Sequence, residues 1–227
     1  RDIRNKNYFF KKIDINNKKE IIKIFKKYKP HGIFNLAADT HVDRSINDSS
    51  NFIKNNILGV YNLLEAIKDY KKKIKLFHIS TDEVYGSIAK GESKESDTYD
   101  PSSPYSASKG SADLIAASFN KTYGIEIKIL NLSNNYGPYQ FPEKFIPTLI
   151  SHFFKNKKAP IYGKGNNIRE WMYVEDSCNA IWKSIISKKK FKKMNIGSGI
   201  RVSNIDIART VFKIMKSKNL TNLKKDN

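Results

Sequence analysis

Nowhere in the 227 residues do 18 apolar, uncharged residues follow one another, so no membrane-spanning helix and no membrane partner are expected. No secretory signal is visible. Cysteine is all but missing. Cys178 stands alone, which excludes an internal disulfide and suits a reducing, cytoplasmic compartment. Its neighbours supply no metal-ligand set, so no metal is expected, and Cys178 reads as a small core residue. Acidic residues are scarce: 22 Asp and Glu face 42 Lys and Arg, a formal net charge of +20. That balance raises nucleic-acid binding as a function. The lysines, however, lie in separate runs, Lys26-Lys27, Lys71-Lys72-Lys73, Lys188-Lys189-Lys190 and Lys192-Lys193, near helix ends and connections. No basic platform interleaved with aromatics is formed. Lysine, asparagine and isoleucine crowd every segment, as in AT-rich coding sequence. The reading adopted is no nucleic-acid partner, with the charge available to attract a phosphate-bearing substrate.

What is present is enough for a core: 39% hydrophobic and 12% aromatic residues, in a length that suits one large domain or one and a half. Apolar runs alternate with amphipathic stretches, which predicts βα units and a doubly wound parallel sheet of the α/β class. Strands are expected at 8–15, 32–38, 74–80, 125–132, 159–162 and near 193–197. Helices are expected at 17–28, 49–70, 104–122, 143–155, 175–187 and 204–217. Residues 134–145 read as a loop rich in Asn, Gly, Pro and aromatics. The texture changes after Asn131, which predicts a nucleotide-binding domain over 1–132 and, over 133–227, the last sheet strands mixed with a smaller substrate-binding lobe. The chain opens at Arg1 and closes at Lys224-Lys225-Asp226-Asn227, and it reads as cut at both ends.

The segment "FHISTDEVYG" (77–86) delivers Thr81, Asp82 and Glu83 at the end of an apolar strand. Two adjacent carboxylates there are either a solvated strand end, a helix cap or chemistry. The helix opening "PSSPYSASK" (101–109) places Tyr105 and Lys109 four residues apart on one face. Pro104 suits a first helical position, and Ser102 or Ser103 can cap. A neighbouring ammonium favours a phenolate, so Tyr105 is a candidate base. The spacing alone is weak, since Tyr8 and Lys12 share it. Its setting strengthens it: ligands of open parallel sheets lie beyond the carboxyl ends of the strands.

Tyr-x-x-x-Lys after a strand ending in Ser/Thr resembles the short-chain dehydrogenase/reductases. The stretches "NLAADTHVDRS" (35–45), "NNILGVYNLLEA" (55–66), "STDEVYG" (80–86), "SNNYGPYQFPEKFIP" (133–147), "IREWMYVED" (168–176) and "NIGSG" (195–199) are similar to the extended, nucleotide-sugar branch, and within it to the dTDP-glucose 4,6-dehydratase family. The likeness runs from about Asp14 to Asn204. Thr81-Asp82-Glu83 discriminates best, because epimerases of the branch usually carry small or hydroxyl residues where these acids stand.

The resemblance implies a Rossmann-like fold, NAD as cofactor, a homodimer formed through two helices (candidates 49–70 and the helix of Tyr105), and conversion of dTDP-glucose to the 4-keto-6-deoxy sugar. It implies that Tyr105 takes the C4 hydroxyl proton, Thr81 hydrogen-bonds the C4 oxygen, Glu83 removes the C5 proton, Asp82 protonates the departing C6 hydroxyl and Lys109 binds the nicotinamide ribose. Two carboxylates are needed because one is a base while the other is an acid. Further cofactor contacts implied are Asp14 and Ile15 on the adenine side, then Leu36, Ala37, Ala38, Thr40, Asn55 and Asn135. Implied substrate contacts are Thr40, Asn134, Glu143, Lys144, Arg169 as a diphosphate clamp, and Asn204. Plainer roles stand beside these: a salt-bridge cluster for His41, Asp43 and Arg44, a surface amide for Asn55, a turn for Asn134 and Asn135, a helix cap for Asn204, and packing for Trp171 and Tyr173.

None of the eleven glycines forms the glycine-rich pyrophosphate turn of the fold, and the acidic ribose contact is missing too. The 227 residues alone are therefore expected to bind NAD poorly. Alternatives are a related dehydratase, epimerase or decarboxylase of a UDP-, GDP- or CDP-sugar, and a basic nucleic-acid-binding module on a Rossmann scaffold.

Overall fold

The computed structural model describes residues 5–88, 91–161, 163–187 and 191–217. Both chain ends, the Lys188–Lys190 run and Tyr162 of the expected 159–162 strand lie outside them. The described chain forms two units, residues 1–131 with 190–194, and 132–189 with 195–227.

In the first unit, α1 (Lys18–Tyr28) starts where the Asn17 side chain accepts the Glu20 N–H, and stops at Lys29 in a left-handed conformation before Pro30. Strand β1 (Gly32–Asn35) runs parallel to β2 (Lys75–Thr81), with Phe34 opposite Phe77. Between them lie α2 (Val42–Asn47), α3 (Ser50–Phe52), a π-helical stretch (Ile53–Leu58) and α4 (Gly59–Tyr70). Beyond β2 come a 3₁₀ turn (Asp82–Tyr85), α5 (Pro104–Tyr123) and β3 (Ile127–Leu132). The sheet order is β1-β2-β3-β6, with β6 spanning Lys193–Ile196. Helical crossovers are what parallel neighbours require. The core collects Ile21 and Phe25 of α1, Leu63, Leu64 and Ile67 of α4, Ile74, Leu76, Ala112, Ala116, Phe119, Ile127 and Ile129. Each large side chain so buried contributes roughly 1.5–3 kcal/mol.

Two expectations fail in this unit. Residues 8–15 form no strand: Phe9 and Phe10 are 64% and 73% exposed, and Tyr8 N–H is held in a turn by the Asn5 carbonyl. An alternating apolar pattern makes a strand only where a ladder partner exists. The helix over 49–70 exists but is not uniformly α. Its π-helical stretch shifts the phase, so Ile53 turns outward and Asn56 is buried. Gly59 then meets Ile15, whose Cγ2 would lie 2.6 Å from an added Cβ.

In the second unit, β4 (Asn134–Tyr136) pairs parallel with β5 (Ile168–Tyr173), which pairs antiparallel with β7 (Arg201–Ser203). Helices α6 (Phe145–Phe154), α7 (Val174–Ile186) and α8 (Asn204–Ser217) complete it. So Asn134–Tyr136 is a strand where a loop was expected, and β5 and β7 were not anticipated. Residues 159–161 are not a strand. Cys178 is exposed on α7 and not a core residue. Trp171 packs on Phe145 and Tyr173 on Tyr136, as the packing reading of these rings requires.

Among the described residues no helix is long and apolar enough to cross a membrane, and no group of metal-ligating side chains assembles.

Candidate active site

The end of β2 and the start of α5 meet. Thr81 leaves the strand in extended conformation and caps the 3₁₀ turn. Its Oγ1 accepts the Glu83 N–H at 3.3 Å and donates to Asp82 Oδ1 at 3.2 Å. The cap explains why two acids directly follow the strand: carboxylates are favoured at a helical N-terminus. Opposite, α5 opens with Pro104 at its first position and a capping box between Ser103 and Ser106. Ser45 of α2 supplies a further acceptor, taking the Tyr105 N–H at 3.1 Å.

Tyr105 is buried beside the Thr81 strand end, with its ring edge-on to Phe52. Burial pushes its pKa up, and the charges of Glu83, Asp82 and Asp113 add to this, while the Thr81 hydroxyl works the other way. Burial and these charges oppose the phenolate that a neighbouring ammonium was expected to favour. That ammonium points elsewhere: Lys109 Nζ donates to the Ile79 carbonyl at 2.7 Å. Burial lowers its pKa and the Asp113 carboxylate raises it.

Two polar networks that sequence reasoning missed hold these groups. In the first, buried Asn56 accepts the Asp39 N–H at 2.8 Å and donates to the Asp39 carbonyl and to Ser108 Oγ. Ser108 in turn donates to the Tyr105 carbonyl at 2.7 Å. Asn55 donates to Asp39 Oδ2 at 2.6 Å and accepts from Asn16, so it is not a bare surface amide. Asp14 organises the same corner, accepting from the Asn16 N–H. In the second, Asp113 meets Ser80, Tyr99 and His78. The signal for both was available: Asp113 follows Lys109 by four residues, and His78 and Ser80 share one face of β2.

Leu36, Ala37 and Thr40 are exposed and Ala38 is half-buried, just past the carboxyl end of β1. In the second unit, Asn135 is spent internally: it accepts from Ser177, donates to the Ser133 carbonyl, and its own carbonyl accepts from Gln140. Asn134 Nδ2 is buried without a hydrogen-bond partner. Glu143 and Lys144 are half-buried ahead of α6, and Arg169 is exposed on β5. Asn204 is the first residue of α8 and not its cap. Ser203 has that role, its Oγ accepting the Asp206 N–H.

The chain matches the family model described as GDP-mannose 4,6 dehydratase over residues 1–227. It belongs to that family. Among curated members, it is 40% identical over 91% of its length to a probable dTDP-glucose 4,6-dehydratase of Sinorhizobium fredii. It is 41% identical over 92% of its length to the dTDP-glucose 4,6-dehydratase of Salmonella typhimurium. It spans 61% and 63% of those proteins. Among solved structures, DesIV, a dTDP-glucose 4,6-dehydratase from Streptomyces venezuelae with NAD bound, superposes at a TM-score of 0.85 with 35% identity, covering 90% of this chain and 62% of that one. A UDP-glucuronic acid 4-epimerase from Bacillus cereus, in complex with UDP-glucuronic acid and NAD, reaches a TM-score of 0.88 with 30% identity, covering 94% and 67%. The Rossmann-like α/β fold is thus that of the dehydratases and of the epimerases alike.

Membership in this family implies a dinucleotide, and the residues present fit one end of it. Lys109 is a buried ammonium with only one donor spent, on the Ile79 carbonyl. It suits a ribose hydroxyl. Asn56 fixes the backbone at Asp39 beside the open Leu36–Thr40 stretch.

Proposed function

We propose that this chain is the larger part of an NAD-dependent nucleotide-sugar 4,6-dehydratase that converts dTDP-glucose to the 4-keto-6-deoxy sugar, working as a cytoplasmic homodimer. One observation carries the reading. The strand end and turn that carry Thr81, Asp82 and Glu83 pack on α5, where Tyr105 stands, and both acids hold the pKa of its phenol up by their charge. Epimerisation at C4 has no need of two carboxylates there.

In this reading Tyr105 and Thr81 receive the C4 hydroxyl, and the tyrosine oxygen is the station for its proton. A neutral phenol cannot take a second proton, so its own proton leaves first, to solvent, and the neighbouring carboxylates oppose that loss. NAD, when bound, supplies the hydride acceptor for C4 and the donor for C6. A ketone at C4 acidifies the C5 proton, which Glu83 takes. Asp82 protonates the C6 hydroxyl, which departs as water. Lys109 orients the nicotinamide ribose, and Asp14, Ile15, Leu36, Ala37, Ala38, Thr40, Asn55 and Asn135 are assigned to the cofactor side. Thr40, Asn134, Glu143, Lys144, Arg169 and Asn204 are assigned to the nucleotide sugar.

The test is mass spectrometry of dTDP-glucose incubated with the full-length protein. Loss of one water is expected, and Glu83→Gln should slow it on the order of a hundredfold or more, as for removal of a general base. An isomeric product of unchanged mass would favour the epimerase reading instead.

A further inference from the structure

Three consecutive residues of β2 are gripped by α5, immediately before the strand delivers Thr81. Ser80 Oγ donates to Asp113 Oδ2 at 2.7 Å. The Ile79 carbonyl accepts from Lys109 at 2.7 Å. His78 Nε2 stands 3.3 Å from Asp113 Oδ1. Asn35 Nδ2 donates to His78 Nδ1 at 3.1 Å, which leaves the imidazole proton on Nε2, on the side of that carboxylate. Tyr99 closes the set, donating to Asp113 Oδ2 at 2.9 Å. Asp113 and His78 are 1% and 0% exposed.

Packing alone does not account for this. A buried carboxylate beside a buried histidine and lysine is costly to desolvate, and apolar residues of similar volume would fill the same space at least as stably. What apolar residues lack is register. The hydrogen bond from Ser80 and the close approach of the carboxylate to His78 fix the strand against the helix along the strand axis, and Asp113 lies on the same helix face as Tyr105 and Lys109. The carboxylate also favours the charged form of Lys109 against its burial.

We infer that Asp113 is a positioning residue, which through Ser80 and His78 sets the Thr81–Glu83 turn in register with Tyr105 and Lys109. It touches neither substrate nor cofactor in this assignment. The kinetic part of the inference rests on the dehydratase reading above.

In the full-length protein, Asp113→Ala should lower kcat for water loss on the order of a hundredfold, as expected for misplacement near 1 Å, with KM moving less than about twofold. Asp113→Asn keeps an oxygen for Ser80 and Tyr99 and should recover most of the loss. Ile67→Val, in the core of the same unit, controls for packing: a lower Tm with unchanged kcat. A second readout needs no turnover. With ¹³Cζ-labelled tyrosine, the Tyr105 signal, assigned by its loss in Tyr105→Phe, should shift in Asp113→Ala and return in Asp113→Asn. A folded Asp113→Ala protein with an unmoved Tyr105 signal overturns the inference, as does wild-type kcat. If the wild-type protein leaves dTDP-glucose unchanged, the dehydratase reading fails and the tyrosine signal alone decides. If Asp113→Ala does not fold, Ser80→Ala takes its place. It removes one bond to the same carboxylate, so a smaller shift supports the inference and none overturns it.

Discussion

The Thr81–Lys109 cluster of the first unit and the Asn134–Arg169 set of the second are built in opposite ways. In the first, Thr81, Tyr105 and Lys109 are buried, sit on a strand end and a helix start, and are braced by Ser45, Ser108, Asn56 and Asp113. In the second, Arg169 is exposed, Glu143 and Lys144 are half-buried beside a helix start, and the Asn135 side chain is already committed to Ser133 and Ser177. Groups that move protons need fixed geometry, and rigid elements supply it. Groups that hold a nucleotide need donors open to it, and half-exposed side chains supply those.

The contrast is broken most severely at Tyr105. Tyr105→Phe keeps the ring against Phe52 and removes only the hydroxyl. A fall in kcat on the order of a thousandfold is expected, with little change in Tm. Turnover near wild type would remove Tyr105 from the chemistry. Smaller, and on stability, is the effect at Gly86, which ends the turn bearing the acids. Its φ is +76°, and an added Cβ would lie 2.1 Å from the Asp100 carbonyl oxygen. Backbone strain and overpacking together should cost Gly86→Ala about 3 kcal/mol, read as a shift in the urea midpoint. A midpoint unchanged by that substitution would mean the turn is softer than its contacts suggest.

How far each region was legible follows from the same contrast. Pro104, the serines before it and the Tyr105/Lys109 spacing are local chemistry, and the helix and its cap came out as read. Thr81-Asp82-Glu83 was legible as a strand end for the same reason. Residues 8–15 misled because strand pattern is local and strand pairing is not. Asn134–Tyr136 misled in reverse: its Asn and Gly neighbours signal a turn, but β5 is there to pair with it. The π-helical stretch was hidden because Ile53, Ile57 and Val60 fit an α-helical phase. Only the burial of Asn56, which bridges Asp39 and Ser108, reveals the shift. The contacts proposed for the second unit rest on resemblance alone, since an exposed arginine on a short strand carries no local signature.

The smallest expected effect therefore sharpens the comparison most. Arg169 donates to its own neighbour's carbonyl at 3.1 Å and is exposed, so its removal leaves no buried group stranded. Arg169→Ala should leave Tm where it is. If Arg169 clamps the diphosphate in ground state and transition state alike, KM for dTDP-glucose rises about tenfold at constant kcat. Arg169→Lys should recover only part of this, because an ammonium cannot reproduce bidentate guanidinium contacts. A loss confined to kcat would put Arg169 among groups that act on the reacting atoms, and the division between a braced chemical cluster and an open binding set would no longer hold.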